Sequence, residues 1–499
     1  MSTGRAGLAG SIVRTGVALT LAFAILAGGA GYWTVVEAQR LATAPDNPAV
    51  MAAARRLPRG LIEDRFGRWI ARSARTDTGE TYREYRDQSV SHVVGYASVI
   101  YGMTGLERAY DAELRGVTRA DPIADLLKKF DPQPVDPSDL RTSIDLRLQR
   151  AAVEALGSDP GAVVLLDPRT GEVLALASTP TYDASGIANP ATARATFAAH
   201  EGDERQPLLP RATLGRYVPG SVFKIVTALA GLDAGAIAPD TTYPDQPEAE
   251  RAGLAVSGFR IRDGHHPQTG SRPLDLVGAT EASCNIWYAL AGLDTGGQAL
   301  TETAAELGFG EAIPFELPVA SSQVTNGGGP APGGFSDDVE LASASFGQGE
   351  TFVTPLQMAL VAATVANGGV LVQPRLGLAL TSERTGTREI GASPSARVVG
   401  EEVARAVRDA MVAAVEGELG RQFTAGAKVP GVTTAGKSGT AELGGSGEPH
   451  SWFIGFAPAE APEIAIAVLV ERGGRGGERA APLAGDLMAR YFALKEEAG

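Results

Sequence analysis

An uncharged run near the N-terminus constrains this chain of 499 residues more than any other feature. Residues 15–36 read TGVALTLAFAILAGGAGYWTVV and contain no charged side chain. About 20 apolar residues suffice for a helix to cross the hydrocarbon core of a bilayer. Two arginines precede the run and Tyr32 and Trp33 lie near its end, as expected of a span with a cytoplasmic N-terminus. The sequence therefore predicts a cytoplasmic tail at residues 1–14, a transmembrane anchor at 15–36 and an exported remainder.

The alternative interpretation of this run is a cleaved secretory signal. Gly28 and Ala30 are small residues at a spacing typical of cleavage sites. The apolar run is longer than the core of most signal peptides, which favours the anchor. Both interpretations export the rest of the chain, so we expect a single-pass protein of the cell membrane, held in lipid by its anchor, with most residues extracytoplasmic.

The charge and the few metal-binding side chains exclude several classes of function. A formal net charge of −14 repels phosphate backbones, so no nucleic-acid partner is expected. Cys284 is the single cysteine, which excludes an internal disulfide and a zinc site built from several thiolates. His265 and His266 lie in a Gly- and Pro-containing stretch that is more typical of a solvated loop than of a metal site. No metal or other cofactor is predicted.

A stretch rich in Pro and Asp, residues 131–137, predicts a domain boundary. Before it, residues 37–139 are predicted to form a small domain without a catalytic signature. Residues 59–73 in this region have the pattern of a short hairpin. Residues 140–499 form the second predicted domain.

The second domain alternates strand and helix patterns. Residues 145–156 have helical spacing, and GAVVLLDP and EVLALAST are apolar runs joined by a glycine turn, which predicts a hairpin. Residues 451–458 and 463–472 predict a second pair of strands, and 480–497 a final helix. Strands at both ends with helices between them are typical of an α+β fold, here one antiparallel sheet packed with helices.

The first motif with chemical potential is PGSVFK, in which Ser221 and Lys224 are three residues apart. On a helix this spacing places both side chains on one face. A serine hydroxyl needs a nearby base to act as a nucleophile, and a lysine becomes one when burial lowers its pKa. The apolar neighbours of Lys224 would supply that burial. Taken alone, the motif also fits a helix-capping serine followed by an exposed lysine.

The second motif is Ser283-Cys284-Asn285, directly before the apolar run IWYALAGL. Ser283 can relay a proton, and the Asn285 amide can both donate and accept hydrogen bonds. Taken alone, a Ser or Asn before a helix is more often a cap. Cys284 is expected to pack as a small apolar residue.

The third motif is Lys437-Ser438-Gly439-Thr440. On a strand it would place a cation and hydroxyls beside a ligand that approaches the backbone at Gly439. Taken alone, it also fits a glycine turn after a lysine.

The three motifs in this order are the pattern of β-lactamases and penicillin-binding proteins. The chain resembles the penicillin-binding proteins over about residues 140–491, and more loosely over 59–114. LDPRTGEVLALASTPTYD, RATLGRYVPGSVFKIVTAL, SFGQGETFVTPLQMALVAATVANGG and HSWFIGFAP are similar to that family. Residues 37–139 are too few for a glycosyltransferase domain, so the resemblance is to the monofunctional class B branch, and most to its penicillin-binding protein A type. Where the family usually has Thr, this chain has Ser438, which keeps the hydroxyl.

The resemblance implies a serine transpeptidase fold like that of β-lactamases, preceded by a pedestal- or dimerisation-like domain. It implies a peptidoglycan D,D-transpeptidase that β-lactams inhibit. Ser221 would attack a D-Ala-D-Ala stem peptide, Lys224 would take its proton, and a second stem peptide's amine would accept the acyl group. The other roles it implies are a proton relay by Ser283 and Lys437, orientation by Asn285, substrate binding by Ser438, Gly439 and Thr440, and an oxyanion hole from the Ser221 and Thr440 backbone.

Three other interpretations remain open from the sequence. A β-lactamase or D,D-carboxypeptidase would use the same scaffold but hydrolyse its acyl-enzyme, and no clear Glu-based element for activating water is evident. A membrane β-lactam sensor would need an output domain larger than residues 1–14. A catalytically inactive scaffold for wall assembly conflicts with the intact Ser221 and Lys224 pair. A membrane glycan polymerase is a further expected partner.

Overall fold

A computed structural model describes residues 3–37, 58–76, 79–116, 136–263, 272–444 and 447–497. His265, His266 and most of the predicted boundary at 131–137 lie outside these residues. The chain divides into two compact units, residues 1–58 with 74–82, and residues 59–73 with 83–499.

The secondary structure follows in chain order. The helices span Thr3–Gly31, Ser91–Val94, Gly105–Ala109, Asp111–Leu114, Leu146–Leu156, Ala184–Ala188, Ala193–Glu201, Arg211–Leu214, Lys224–Asp233, Gln246–Ala252, Leu276–Glu281, Asn285–Thr295, Gly297–Glu306, Asp338–Ala344, Pro355–Ala366, Glu401–Glu416, Arg421–Thr424 and Ala480–Glu496. The strands are β1 Ile62–Glu63, β2 Trp69–Arg75, β3 Thr81–Tyr85, β4 Ala97–Ser98, β5 Gly102–Met103, β6 Asp139–Thr142, β7 Gly161–Leu166, β8 Val173–Thr179, β9 Leu254–Val256, β10 Phe259–Ile261, β11 Val370–Val372, β12 Gly377–Ser382, β13 Gly386–Glu389, β14 Ser395–Arg397, β15 Ala435–Ala441, β16 His450–Ala457 and β17 Ile464–Val470.

The smaller unit contains the N-terminal helix Thr3–Gly31, which continues into a π-helical turn at Tyr32–Val36. Within the described residues, Val13–Val35 is long and apolar enough to cross a membrane. Its large apolar side chains are exposed, for example Ile25 at 74%. Exposure of such side chains is unfavourable in water and favourable in lipid, which agrees with the predicted anchor at residues 15–36.

A five-stranded antiparallel sheet lies at the centre of the larger unit, in the order β15-β16-β17-β7-β8. Strands from the start and the end of the domain are therefore neighbours, and β7 pairs with β17 along its whole length. The predicted hairpin (β7 and β8) and the predicted strand pair (β16 and β17) are confirmed, as is the α+β class. Edge strand β15 carries the third motif.

Both faces of this sheet are buried because its strands alternate between two apolar cores. Along β7, Val163 and Leu165 face the core beneath the helices Leu146–Leu156 and Ala480–Glu496. Val164 belongs to the opposite core, with the helices that follow β8 in the chain. Strands buried on both faces read as continuous apolar runs, which explains the GAVVLL and IAIAVLV patterns.

A second sheet has the order β13-β12-β6-β1-β2-β3. Its first strands come from the region before residue 140, and β1 pairs in parallel with β6. Strands β12 and β13 come from residues 377–389, far along the chain, and β12 pairs with β6. The predicted hairpin within residues 59–73 is confirmed as β1 and β2.

Candidate active site

The edge strand β15 lies directly against the turn that carries Ser221. A Cβ atom on Gly220 would lie 2.8 Å from the Thr440 carbonyl oxygen, and one on Gly439 would lie 2.9 Å from the Pro219 carbonyl oxygen. Such distances are too short for real Cβ contacts, so only glycine permits this approach. The first and third motifs, more than 200 residues apart in the sequence, therefore meet at their glycines.

Ser221 and Lys224 lie at the start of a buried helix, as predicted, with one difference in geometry. Residues Gly220–Phe223 form a 3-10 turn, and the α-helix begins at Lys224. Ser221 is half-buried, whereas Lys224 and its chain neighbours Phe223 and Ile225 are all fully buried. The expected apolar environment of Lys224 is thus present.

The buried ammonium of Lys224 binds the second motif. Its Nζ donates to the Ser283 carbonyl oxygen at 2.6 Å and to Asn285 Oδ1 at 2.7 Å, and it lies 3.4 Å from Ser283 Oγ. Asn285 uses its acceptor on the lysine, which leaves its side-chain N–H groups for other partners.

Lys437 reaches the same serine from the opposite side. Its Nζ donates to Ser283 Oγ at 2.8 Å and to the Ser438 carbonyl oxygen at 2.9 Å. The side chain is also buried, at 1% exposure. The hydroxyl of Ser283 therefore lies between two lysine nitrogens, which is a suitable arrangement for passing a proton.

Burial lowers the proton affinity of both lysines. It lowers the pKa of Lys224 to about 8, although the carboxylate of Asp263 and the Cys284 thiol act in the opposite direction. Burial and the neighbouring Lys224 together lower the pKa of Lys437 well below its usual range. A lysine with a pKa of about 8 is partly neutral at physiological pH, so it can accept a proton from a serine hydroxyl.

The remaining residues of the third motif are split between the protein interior and the surface. Ser438 is buried at 6% exposure, and Gly439 is also buried. Thr440 is exposed, and its Oγ1 accepts a hydrogen bond from the Gly476 N–H at 3.2 Å. Because β15 is the outer strand of its sheet, alternate backbone N–H groups along it point away from β16.

Further contacts, which the sequence did not indicate, hold the turn that carries Ser221. The indole N–H of Trp452 donates to the Val218 carbonyl oxygen at 3.0 Å. The Tyr217 hydroxyl donates to Glu471 at 2.7 Å, and the Tyr217 ring packs edge-on against His450 with centroids 5.3 Å apart. Side chains from β16 and from the residue after β17 thereby fix the segment before Ser221. No short motif could have revealed these contacts because they depend on sheet register.

Cys284 is buried as expected, but it also makes polar contacts. Its thiol donates to Glu250 Oε1 at 3.1 Å and accepts from the Trp287 N–H at 3.3 Å. Burial, with the nearby carboxylates of Asp263 and Glu250, raises the pKa of this thiol well above its usual range. The thiol is therefore protonated at neutral pH and acts as a cap of the helix Asn285–Thr295.

Two family models match the chain. Residues 161–489 match the penicillin binding protein transpeptidase domain, and residues 59–133 match the penicillin binding protein A dimerisation domain. The peptidoglycan D,D-transpeptidase PbpA of Mycolicibacterium smegmatis is 35% identical, with 95% of this chain and 97% of the relative covered. PbpA of Mycobacterium tuberculosis is 34% identical at the same coverage. The imipenem acyl-enzyme complex of penicillin-binding protein A from M. tuberculosis has a TM-score of 0.76 and 32% identity, and the match covers 88% of this chain and 99% of that one.

The fold, with its group of Lys224, Ser283 and Lys437 beside the Ser221 turn, is that of the penicillin-binding transpeptidases, a class of serine enzymes of acyl transfer. The chain belongs to the penicillin-binding proteins, and it is a peptidoglycan D,D-transpeptidase of the penicillin-binding protein A type. The resemblance seen in the three motifs is confirmed.

Proposed function

We propose that the chain cross-links peptidoglycan stem peptides by transferring an acyl group through Ser221. The observation that carries this assignment of residues is the double contact of Ser283 with two buried lysines. Lys224 binds its carbonyl oxygen and Lys437 binds its hydroxyl, at 2.6 and 2.8 Å. The arrangement joins all three motifs in one connected hydrogen-bonded group beside the Ser221 turn.

In the first step, neutral Lys224 takes the hydroxyl proton of Ser221. Ser221 Oγ then attacks the carbonyl carbon of the penultimate D-Ala of a donor stem peptide. The negative charge that forms on the carbonyl oxygen is bound by the backbone N–H groups of Ser221 and Thr440. The position of Thr440 on an edge strand, next to the Gly220 contact, supports this oxyanion hole.

The tetrahedral intermediate breaks down when the terminal D-Ala leaves. Its nitrogen needs a proton, which Ser283 supplies while its hydroxyl is replenished from Lys224 or Lys437. The products are a Ser221 ester and free D-Ala. The short bond between Lys437 and Ser283 supports this relay.

The donor is held by groups on both sides of Ser221. The hydroxyls of Ser438 and Thr440 bind its terminal carboxylate, with Lys437 acting electrostatically behind them. The free N–H groups of Asn285 bind a donor amide oxygen, because Asn285 Oδ1 is occupied by Lys224. Gly439 allows the donor backbone to lie close to β15.

In the second step, the amine of an acceptor stem peptide attacks the Ser221 ester. The new amide bond forms as the ester bond breaks, and the proton returns to Ser221. A β-lactam enters the same first step, because its strained amide takes the place of the D-Ala-D-Ala bond. No cofactor takes part in this scheme.

The test of this function is a product analysis with the full chain in detergent. A donor stem peptide ending in D-Ala-D-Ala and an excess of acceptor amine are supplied, and products are separated by mass spectrometry. We expect free D-Ala and a cross-linked dimer in equal amounts. Free D-Ala with a shortened, uncoupled peptide would instead identify a D,D-carboxypeptidase, and rapid turnover of penicillin would identify a β-lactamase.

We further propose a topology for the chain, with residues 1–14 cytoplasmic, 15–36 in the lipid and 140–499 catalytic on the outer side. The apolar helix within Val13–Val35 and its flanking arginines support this orientation. A C-terminal alkaline phosphatase fusion, which is active only after export, should be active in cells. An inactive fusion that remains in the membrane fraction would contradict the orientation.

Residues 37–139 are proposed to hold the catalytic domain away from the membrane and to offer a surface to a membrane glycan polymerase. The match of residues 59–133 to a dimerisation domain supports a non-catalytic role. Photocrosslinkers placed in this region should capture the polymerase in cells, and capture only from residues 140–499 would contradict the proposal.

A further inference from the structure

The carboxylate of Asp263 lies against the second motif, although the two are 20 residues apart in the chain. Asp263 Oδ2 accepts hydrogen bonds from the Asn285 N–H at 2.5 Å and from the Ile286 N–H at 3.2 Å. These are the first two N–H groups of the helix Asn285–Thr295, and no preceding turn can bind them. Asp263, which follows β10, therefore supplies the cap that this helix would otherwise lack at those positions.

The backbone that this cap holds is under strain. Ser283 has φ +59°, in the left-handed region that a serine rarely adopts. Such a conformation persists only when its surroundings impose it, and it clusters at functional sites. Here the Lys224 ammonium holds the Ser283 carbonyl from one side, and the carboxylate of Asp263 holds the Asn285 N–H from the other.

Asp263 also acts on Lys224 through its charge. The groups that face the buried amine are the carbonyl and hydroxyl of Ser283, the Asn285 amide oxygen, the Cys284 thiol and the Tyr288 ring, 5.5 Å away. Beyond Ser283 lies the amine of Lys437, which opposes a positive charge on Lys224. Burial lowers the pKa of Lys224, and the carboxylate of Asp263 is the neighbouring charge that opposes this effect most strongly.

We propose that Asp263 is a positioning residue for acyl transfer: its carboxylate fixes the backbone of Ser283 and Asn285 and balances the buried ammonium of Lys224. This inference rests on the proposed role of Lys224 as the base for Ser221. It adds a residue outside the three motifs, supplied by a different part of the fold.

The effect of the Asp263 charge on Lys224 is tested with the variant Asp263→Asn. The pH dependence of its acylation by penicillin is measured by stopped flow on the full chain in detergent. Only neutral Lys224 accepts the serine proton, so the wild-type rate should rise with pH and level off above about 8. An Asn side chain still accepts the two N–H bonds but has no charge. We expect the midpoint to fall by about one pH unit, so that below about pH 7 the variant reacts several-fold faster than wild type.

The matched control is Asp337→Asn. Asp337 also caps a helix, Asp338–Ala344, from the position directly before it, with Oδ1 accepting from the Val339 and Glu340 N–H groups at 2.9 Å each. This variant should lose a similar amount of stability and keep the wild-type midpoint. A midpoint in Asp263→Asn that equals that of the control would overturn the electrostatic part of the proposal.

The cap is tested by Asp263→Ala, which removes the acceptor as well as the charge. We expect the same shift of the midpoint and, in addition, a plateau rate reduced by about tenfold, because Ser283 and Asn285 are no longer held in position when the cap is lost. A plateau rate in Asp263→Ala equal to that of wild type would overturn the claim that Asp263 positions Ser283 and Asn285. Failure of the proposed function itself looks different, since the wild-type protein would then show no acylation or no rise of the rate with pH.

Discussion

Replacement of Ser221 by alanine will abolish covalent labelling by penicillin and reduce transpeptidation by a factor on the order of 10⁶. The oxygen that would form the ester is absent from this variant. The other hydroxyl near Lys224, Ser283 Oγ, accepts a hydrogen bond from Lys437 and belongs to the proposed proton relay. The side chain is half-buried on a 3-10 turn, so its loss should leave the fold intact. Labelling is measured with a fluorescent penicillin, and turnover by D-Ala release.

Ser185→Ala is the control for this variant. Ser185 is also half-buried at the start of a short helix, where its hydroxyl accepts a hydrogen bond from the Tyr85 N–H at 3.0 Å. Labelling of this control should equal that of wild type. Residual labelling of Ser221→Ala at a wild-type rate would show that the nucleophile lies elsewhere.

Replacement of Lys224 by methionine should slow acylation by about 10³- to 10⁴-fold while Ser221 remains in place. Methionine has a similar volume but cannot accept a proton. Lys224→Arg should be impaired to a similar extent, because a guanidinium stays protonated at every pH at which the protein is folded. The loss in both variants separates the role of a neutral base from that of a positive charge. Stopped-flow acylation by penicillin measures both.

Lys428→Met is the matched control for Lys224→Met. Lys428 is half-exposed and pairs with Glu416 at 3.1 Å. The acylation rate of Lys428→Met should match that of wild type. If Lys224→Arg reacted as fast as wild type, the positive charge and not the neutral amine would be essential, and the proton path proposed for Ser221 would be wrong.

The chain's sequence predicts much of the fold where local pattern and tertiary structure agree. The hairpin of β7 and β8 follows from two apolar runs around a glycine turn, and burial on both faces explains why these runs hardly alternate. The pairing of β12 with β6 could not be predicted, because 377–382 and 139–142 have no local signal for each other. Register between distant strands depends on the packing of the whole domain.

The candidate site could likewise be predicted only in part from the sequence. Spacing alone places Ser221 next to Lys224, and resemblance adds Ser283, Asn285 and Lys437. Asp263 was missed because an aspartate after a short strand has no distinguishing pattern, and its function arises only when the fold brings it to a helix N-terminus. The 3-10 geometry of the Ser221 turn was also missed, since the spacing of Ser221 and Lys224 fits an α-helix equally well.

The most direct test of the account is to locate the penicillin adduct. The full chain is labelled with penicillin, digested with trypsin and examined by mass spectrometry. Cleavage after Arg216 and Lys224 gives the peptide YVPGSVFK, in which Ser221 is the single hydroxyl-bearing residue apart from a tyrosine. The account predicts one adduct, on Ser221 of this peptide. An adduct on any other residue, with YVPGSVFK recovered unlabelled, would contradict it.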